Sequence, residues 1–220
     1  MKNTLRKMKI GFMRLPLVQH ISHAFALNAW KKNPTGNPPS IIKQKMVMSM
    51  ARKYNIRHLI ETGTYLGDMV YAAKNSFDKI DSIELSAELY RNAVERFIKN
   101  KKIKIWNGDS AIILSEIIKN TDKPSLFWLD AHYSGGRTAR SVLGDTPIEK
   151  ELEIIFEKWN NGNVLLIDDA RLFVGRDNYP TIDELRMFIN KKSSSLDLKV
   201  IDDVIIIKEG SLHNSNENNN

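Results

Sequence analysis

Residues 59–67 read Leu-Ile-Glu-Thr-Gly-Thr-Tyr-Leu-Gly: an apolar run ends in the carboxylate of Glu61 and then turns through Gly63 and Gly67 toward a helix. The glycines permit a sharp turn and let the backbone approach a ligand where a Cβ would clash. A carboxylate just ahead of Gly-x-x-x-Gly suits a pyrophosphate badly. It suits a ligand that brings an amine, a ribose and a positive sulfur, the groups of S-adenosylmethionine. Two later runs also end in acids: Leu126 to Asp130, followed by Ala131, His132 and Tyr133, and Val164 to Asp169. Both are too apolar to be anything but core strands, so Asp130, Asp168 and Asp169 emerge on one edge of a sheet. Their mutual repulsion argues for a cation among them. His132, with an unperturbed pKa of about 6.5, can accept a proton at neutral pH or ligate a metal.

These residues need a frame. Short apolar runs near 58–61, 80–84, 103–106, 126–130 and 164–168 alternate with amphipathic stretches near 67–75, 86–99, 110–119, 147–159 and 181–191. Strands alternating with helices predict a parallel sheet covered on both faces. The last two strands, 196–201 and 204–208, are joined only through Asp202-Asp203, too short for a parallel crossover, and must form an antiparallel hairpin. The fold class is therefore α/β, Rossmann-like, with seven mostly parallel strands and a C-terminal antiparallel hairpin. Ligands of such sheets sit beyond the carboxyl ends of the strands.

With this order of elements the chain resembles class I S-adenosylmethionine-dependent methyltransferases over residues 40–209. Glu61-Thr-Gly-Thr-Tyr-Leu-Gly67 is similar to the first motif of catechol O-methyltransferase-like small-molecule enzymes, which also place a tyrosine, here Tyr65, between the glycines. The resemblance implies that Glu61 anchors the methionine amine, that Glu84 takes the ribose hydroxyls, and that Asp109 and Ser110 contact the adenine ring. The bland alternatives are a buried structural carboxylate for Glu61, an exposed charge for Glu84, and a helix N-cap for Asp109 and Ser110. In metal-dependent members the positions of Asp130, Asp168 and Asp169 hold a divalent cation. Oxygen ligands on strand ends suit Mg²⁺, which would activate a hydroxyl and fix it in line with the methyl. Catechol-type enzymes carry a lysine base three residues after the first metal aspartate. This chain has Tyr133 there, beside His132, which leaves Asp130, His132 and Tyr133 as catalytic candidates.

Charge divides the chain. Residues 1–60 hold 12 Lys or Arg and no acid, whereas 61–220 hold 21 basic and 26 acidic residues, so the net +7 belongs to the front. Residues 1–39 read as a basic extension: a cap helix followed by a Pro- and Gly-interrupted linker at 33–40. Contact of residues 1–32 with an anionic membrane or polymer, or a homodimer, are the alternatives. Ser40 reads as the cap of a helix to about Tyr54 with Ile41, Ile42, Met46 and Met50 on its apolar face. Residues 210–220 read as a disordered polar tail. The long loop at 133–147 would cover a substrate, with Arg137, Arg140 or Arg171 toward an anionic group. No apolar run nears the roughly 20 residues of a membrane span. The absence of cysteine fits a reducing, cytoplasmic setting.

The expected activity is methylation of a small hydroxylated molecule. The alternatives are a catalytically inactive scaffold with this fold, or a nicotinamide-dependent enzyme. The missing Gly-x-Gly-x-x-Gly and the terminal hairpin count against the second. A nucleic-acid substrate is disfavoured because no base-extruding motif follows the fourth strand.

Overall fold

A computed structural model of the chain describes residues 16–34, 37–130, 148–177 and 179–210. Two helices lead in, α1 (Pro16–Lys32) and α2 (Ser40–Lys53). The alternating elements follow: β1 (His58–Thr62), α3 (Asp68–Ala73), β2 (Lys79–Glu84), α4 (Ala87–Phe97), β3 (Ile103–Asn107), α5 (Ser110–Lys119) and β4 (Leu126–Leu129). Then come α6 (Ile148–Glu157), β5 (Val164–Ile167), a short 3₁₀ turn (Ala170–Leu172), α7 (Ile182–Lys192), β6 (Leu196–Ile201) and β7 (Val204–Glu209). Every predicted strand is present within a residue or two of its expected bounds.

The seven strands lie in the order β3-β2-β1-β4-β5-β7-β6. The first five are parallel, and β7 runs antiparallel to both β5 and β6. Asp202 and Asp203 turn the hairpin with φ of 48° and 61°, the paired positive values of a two-residue turn whose twist matches its strands. β1, β4 and β5 are buried along their whole length, as expected of central parallel strands covered on both faces. Successive side chains point to opposite faces. Ile60, Phe127, Leu129, Leu165 and Ile167 meet α5, α6 and α7, whereas Leu59, Leu126, Trp128 and Leu166 meet α2, α3 and Phe97 of α4.

Two expectations about α2 change. Pro39, not Ser40, occupies the N-cap position and makes no side-chain cap. The buried face of α2 carries Lys43, Gln44, Val47 and Ala51, while Ile41, Ile42, Met46 and Met50 are only half-buried. Residues 1–15 of the predicted extension and 211–220 of the predicted tail lie outside the described residues. Within α1, Phe25 is exposed.

Far from the ligand edge, Asp81 on β2 ties the amino ends of the sheet together. It accepts from His58 Nε2 and Trp106 Nε1, both at 2.8 Å, and from Lys79 Nζ at 2.9 Å. Burial would raise its pKa, but these donors prevail and hold it below the ordinary carboxylate value.

Candidate active site

β1 neighbours β2 on one side and β4 on the other, so the chain reverses its direction of winding between β1 and β4. A crevice opens beyond the carboxyl ends of strands at such a point. Here it is a cavity of about 270 Å³. It is lined by Glu61 of β1 with Gly63 and Thr64 after it, by Trp128 of β4 with Asp130 after it, and by Lys43 of α2. The crevice over Gly63 is open, as the sequence reading requires.

The first turn is held from three directions. Gly63, Tyr65 and Gly67 all adopt left-handed φ, at 86°, 48° and 74°. Glu84 at the end of β2 accepts the Tyr65 amide at 2.7 Å and the Ser86 amide at 2.8 Å. Arg96 of α4 donates to the Leu66 carbonyl and, at 2.8 Å, to Asp68. Gly67 serves packing: a Cβ there would stand 2.8 Å from the Phe97 ring. Gly63, not Gly67, is the glycine that faces the cavity.

Glu61 is buried at 2% exposure. Its Oε2 accepts from the Ser82 hydroxyl, which in turn meets Thr64 Oγ1 at 2.6 Å. Burial pushes the Glu61 carboxyl up to about 8; the Ser82 hydroxyl pulls it down, and Asp130, Glu84 and Asp68 push it further up. A buried acid that lines a cavity gains most from a cationic group brought close to it. Glu84 is also raised by burial, against the amides of Ser86, Tyr65 and Leu85. Oε2 accepts the Tyr65 amide and Oε1 the Ser86 amide, and a carboxylate with about four lone pairs keeps capacity for a further donor.

At the end of β3, Asp109 caps α5 by accepting the Ala111 amide at 2.9 Å, so the helix-cap reading holds for it. Ser110 is buried beside Glu151 of α6. Burial lifts Glu151 to about 7, the hydroxyls of Ser110 and Thr62 draw it back, and Asp109 and Asp130 push it up. Thr62 lies near enough to act on the acid, yet among the described residues neither Thr62 Oγ1 nor Glu151 Oε1 completes a hydrogen bond. The sequence reading gave Glu151 no role.

Asp168 and Asp169 leave β5 together, Asp169 in the left-handed region at φ 57°. Lys43 Nζ stands 2.5 Å from Asp168 Oδ1 and 3.0 Å from Asp169 Oδ1. Arg171 donates to Asp169 at 2.7 Å and also to Asp203 of the hairpin turn. Burial would lower the Lys43 pKa, but Asp168 and Asp169 prevail and raise it. Asp168 is pushed up to about 7 by burial, Asp130 and Asp169, with Lys43 opposing. The group thus retains an ammonium and accepts a proton among its acids near neutrality.

The expectation that Asp130, Asp168 and Asp169 enclose a divalent ion is not shown among the described residues. The acids do gather, since Asp130 acts on Asp168 and both line the cavity. Two of them already hold Lys43, and the described residues contain no group of three or more His, Asp or Glu arranged to hold a metal. As arranged, the donor set does not fit Mg²⁺. Arg171 pairs with Asp169 and with Asp203. His132, Tyr133, Arg137 and Arg140 lie outside the described residues.

This sheet order, closing hairpin and crevice define the class I S-adenosylmethionine-dependent methyltransferase fold. Similar solved structures include a Podospora anserina methyltransferase bound to SAH, 16% identical, covering 94% of this chain and 87% of that one with a TM-score of 0.55. A Bacillus cereus O-methyltransferase in complex with SAH is 16% identical over 91% of this chain and 94% of that one, TM-score 0.55. The O-methyltransferase TomG of Streptomyces achromogenes, involved in tomaymycin synthesis and solved with SAM, is 16% identical over 84% and 86%, TM-score 0.52. At such identities the likeness is one of fold. No family model matches the chain, and no curated protein matches it.

Proposed function

We propose that this chain is an S-adenosylmethionine-dependent methyltransferase that methylates a hydroxyl of a small molecule. The observation that carries this reading is the buried Glu61 carboxyl in an open cavity beside the Gly63 turn, at the switch point of the sheet. A cationic amine brought into the cavity would pair with such an acid. The free lone pairs of Glu84 suit ribose hydroxyls one strand further along, and Asp109 and Ser110 begin the next turn, on the side where an adenine would lie.

S-adenosylmethionine supplies an electrophilic methyl: the acceptor oxygen forms the new C–O bond as the C–S bond breaks, and sulfur keeps the electron pair. The chain's task is to hold the acceptor in line and to take its proton. Asp130, with His132 and Tyr133 following it, is the segment we assign to that task. The likeness in fold to structures named O-methyltransferases supports oxygen as the acceptor.

A metal-assisted variant of this reading, with Mg²⁺ at Asp130, Asp168 and Asp169, is favoured by the gathering of those acids and requires Lys43 to leave its place. The test of the main reading is to incubate the purified chain with methyl-labelled S-adenosylmethionine and a panel of sugars and phenolic metabolites. Label transferred to a hydroxyl supports it. Tight cofactor binding without transfer to any acceptor class favours the scaffold alternative.

A further inference from the structure

Lys43 is a charged residue in a position built for an apolar one. It shares the buried face of α2 with Val47 and Ala51 and is only 7% exposed. Lysine is almost never this buried unless paired. Its partners are Asp168 and Asp169, at 7% and 4% exposure, with ammonium-to-oxygen distances of 2.5 and 3.0 Å. Removing such charges from water is costly unless each finds its counterpart, and removing one partner leaves the other stranded. The arrangement therefore holds α2 to the end of β5 as firmly as it holds the acids.

Lys43 and Asp168 also line the cavity beside Gly63. An ammonium has three donors. Two go to the aspartates, and the third has no acceptor among the described residues.

Building on the methyl-transfer reading, we infer that the Lys43 ammonium is the resident cation of this acidic cluster. It stands where a divalent ion would otherwise be held, so that the site works without one. A Mg²⁺ touching both aspartates at its usual ~2.0–2.1 Å would have to displace a buried, paired ammonium. In this site a fixed point charge with a spare N–H donor faces the acceptor, where a metal would present exchangeable coordination positions.

The test uses the purified full chain titrated with Mn²⁺, followed by the paramagnetic resonance signal of the free ion. The wild type is expected to leave that signal at its protein-free intensity into the millimolar range. Lys43→Ala, which uncovers Asp168 and Asp169, is expected to take up one ion per chain, and adding Asp168→Asn to it is expected to abolish that uptake. Uptake by the wild type that Asp168→Asn removes overturns the inference, as does a folded Lys43→Ala that binds no ion. If Lys43→Ala fails to fold, the comparison of wild type with Asp168→Asn still decides. No cofactor enters this titration. Failure to bind S-adenosylmethionine would undo the methyl-transfer reading and leave this result standing.

Discussion

The Glu84 carboxylate accepts the backbone amide of Tyr65 at 2.7 Å. One acid at the end of β2 thereby fixes the turn that leaves β1, and with its other oxygen the turn into α4. In the proposed function the same oxygens receive the ribose.

Glu84→Ala strands two amides and removes the ribose acceptor. We expect S-adenosylmethionine affinity to fall by at least tenfold, about 1.4 kcal/mol, and stability to drop by roughly 1–3 kcal/mol. Calorimetry and chemical denaturation measure the two separately. An affinity that stays at the wild-type value would remove Glu84 from the binding site.

Glu61 gives a pH signature. Burial pushes its carboxyl from an ordinary 4.5 up to about 8, so the unliganded chain binds a proton on folding at this group. That contribution to stability is present below about pH 4.5 and is lost as the pH rises through about 8. A cationic ligand needs the carboxylate, so affinity for S-adenosylmethionine should rise toward pH 8 and binding should release a proton. Heats measured in two buffers of different ionisation enthalpy report that proton, and Glu61→Gln should abolish both the release and the pH dependence.

Glu151 behaves similarly without facing the cavity. Raised from 4.5 to about 7, it costs the fold stability as the pH climbs through 7. Glu151→Leu should stabilise the chain more at pH 8 than at pH 5, seen as a larger gain in melting temperature at the higher pH. An equal change at both values would show that the acid is not the cause.

Gly67→Ala meets two obstacles, a φ of 74° and the Phe97 ring 2.8 Å from the new Cβ. A loss of roughly 1–3 kcal/mol is expected. Asp81→Asn should cost a similar amount, about 1.5–3 kcal/mol, by weakening charge-assisted bonds from His58, Trp106 and Lys79. Denaturation midpoints check both, and cofactor affinity at the Asp81 variant should stay close to wild type.

The strands and helices were legible because each apolar run matches its buried span: Leu126 to Leu129 and Val164 to Ile167 have no other home than a covered sheet. The hairpin followed from the brevity of Asp202-Asp203. Lys43 was not legible. The helix carries two overlapping stripes, Ile41–Ile42–Met46–Met50 and Lys43–Val47–Ala51, and hydropathy favours the first. Which stripe faces inward is decided by acids 125 residues away at the end of β5, a pairing that local periodicity does not encode. A lysine four and eight residues before Val47 and Ala51 was the available signal. Glu151, set among Leu152, Ile155 and Phe156, is likewise a charge that only the tertiary packing buries.

In the proposed function the cavity over Gly63 receives S-adenosylmethionine with its amine at Glu61. Isothermal calorimetry of the purified chain with S-adenosylmethionine tests it most directly. One site of micromolar affinity that Glu61→Ala abolishes is expected; no binding by the folded wild type, or binding indifferent to Glu61→Ala, would overturn the proposed function.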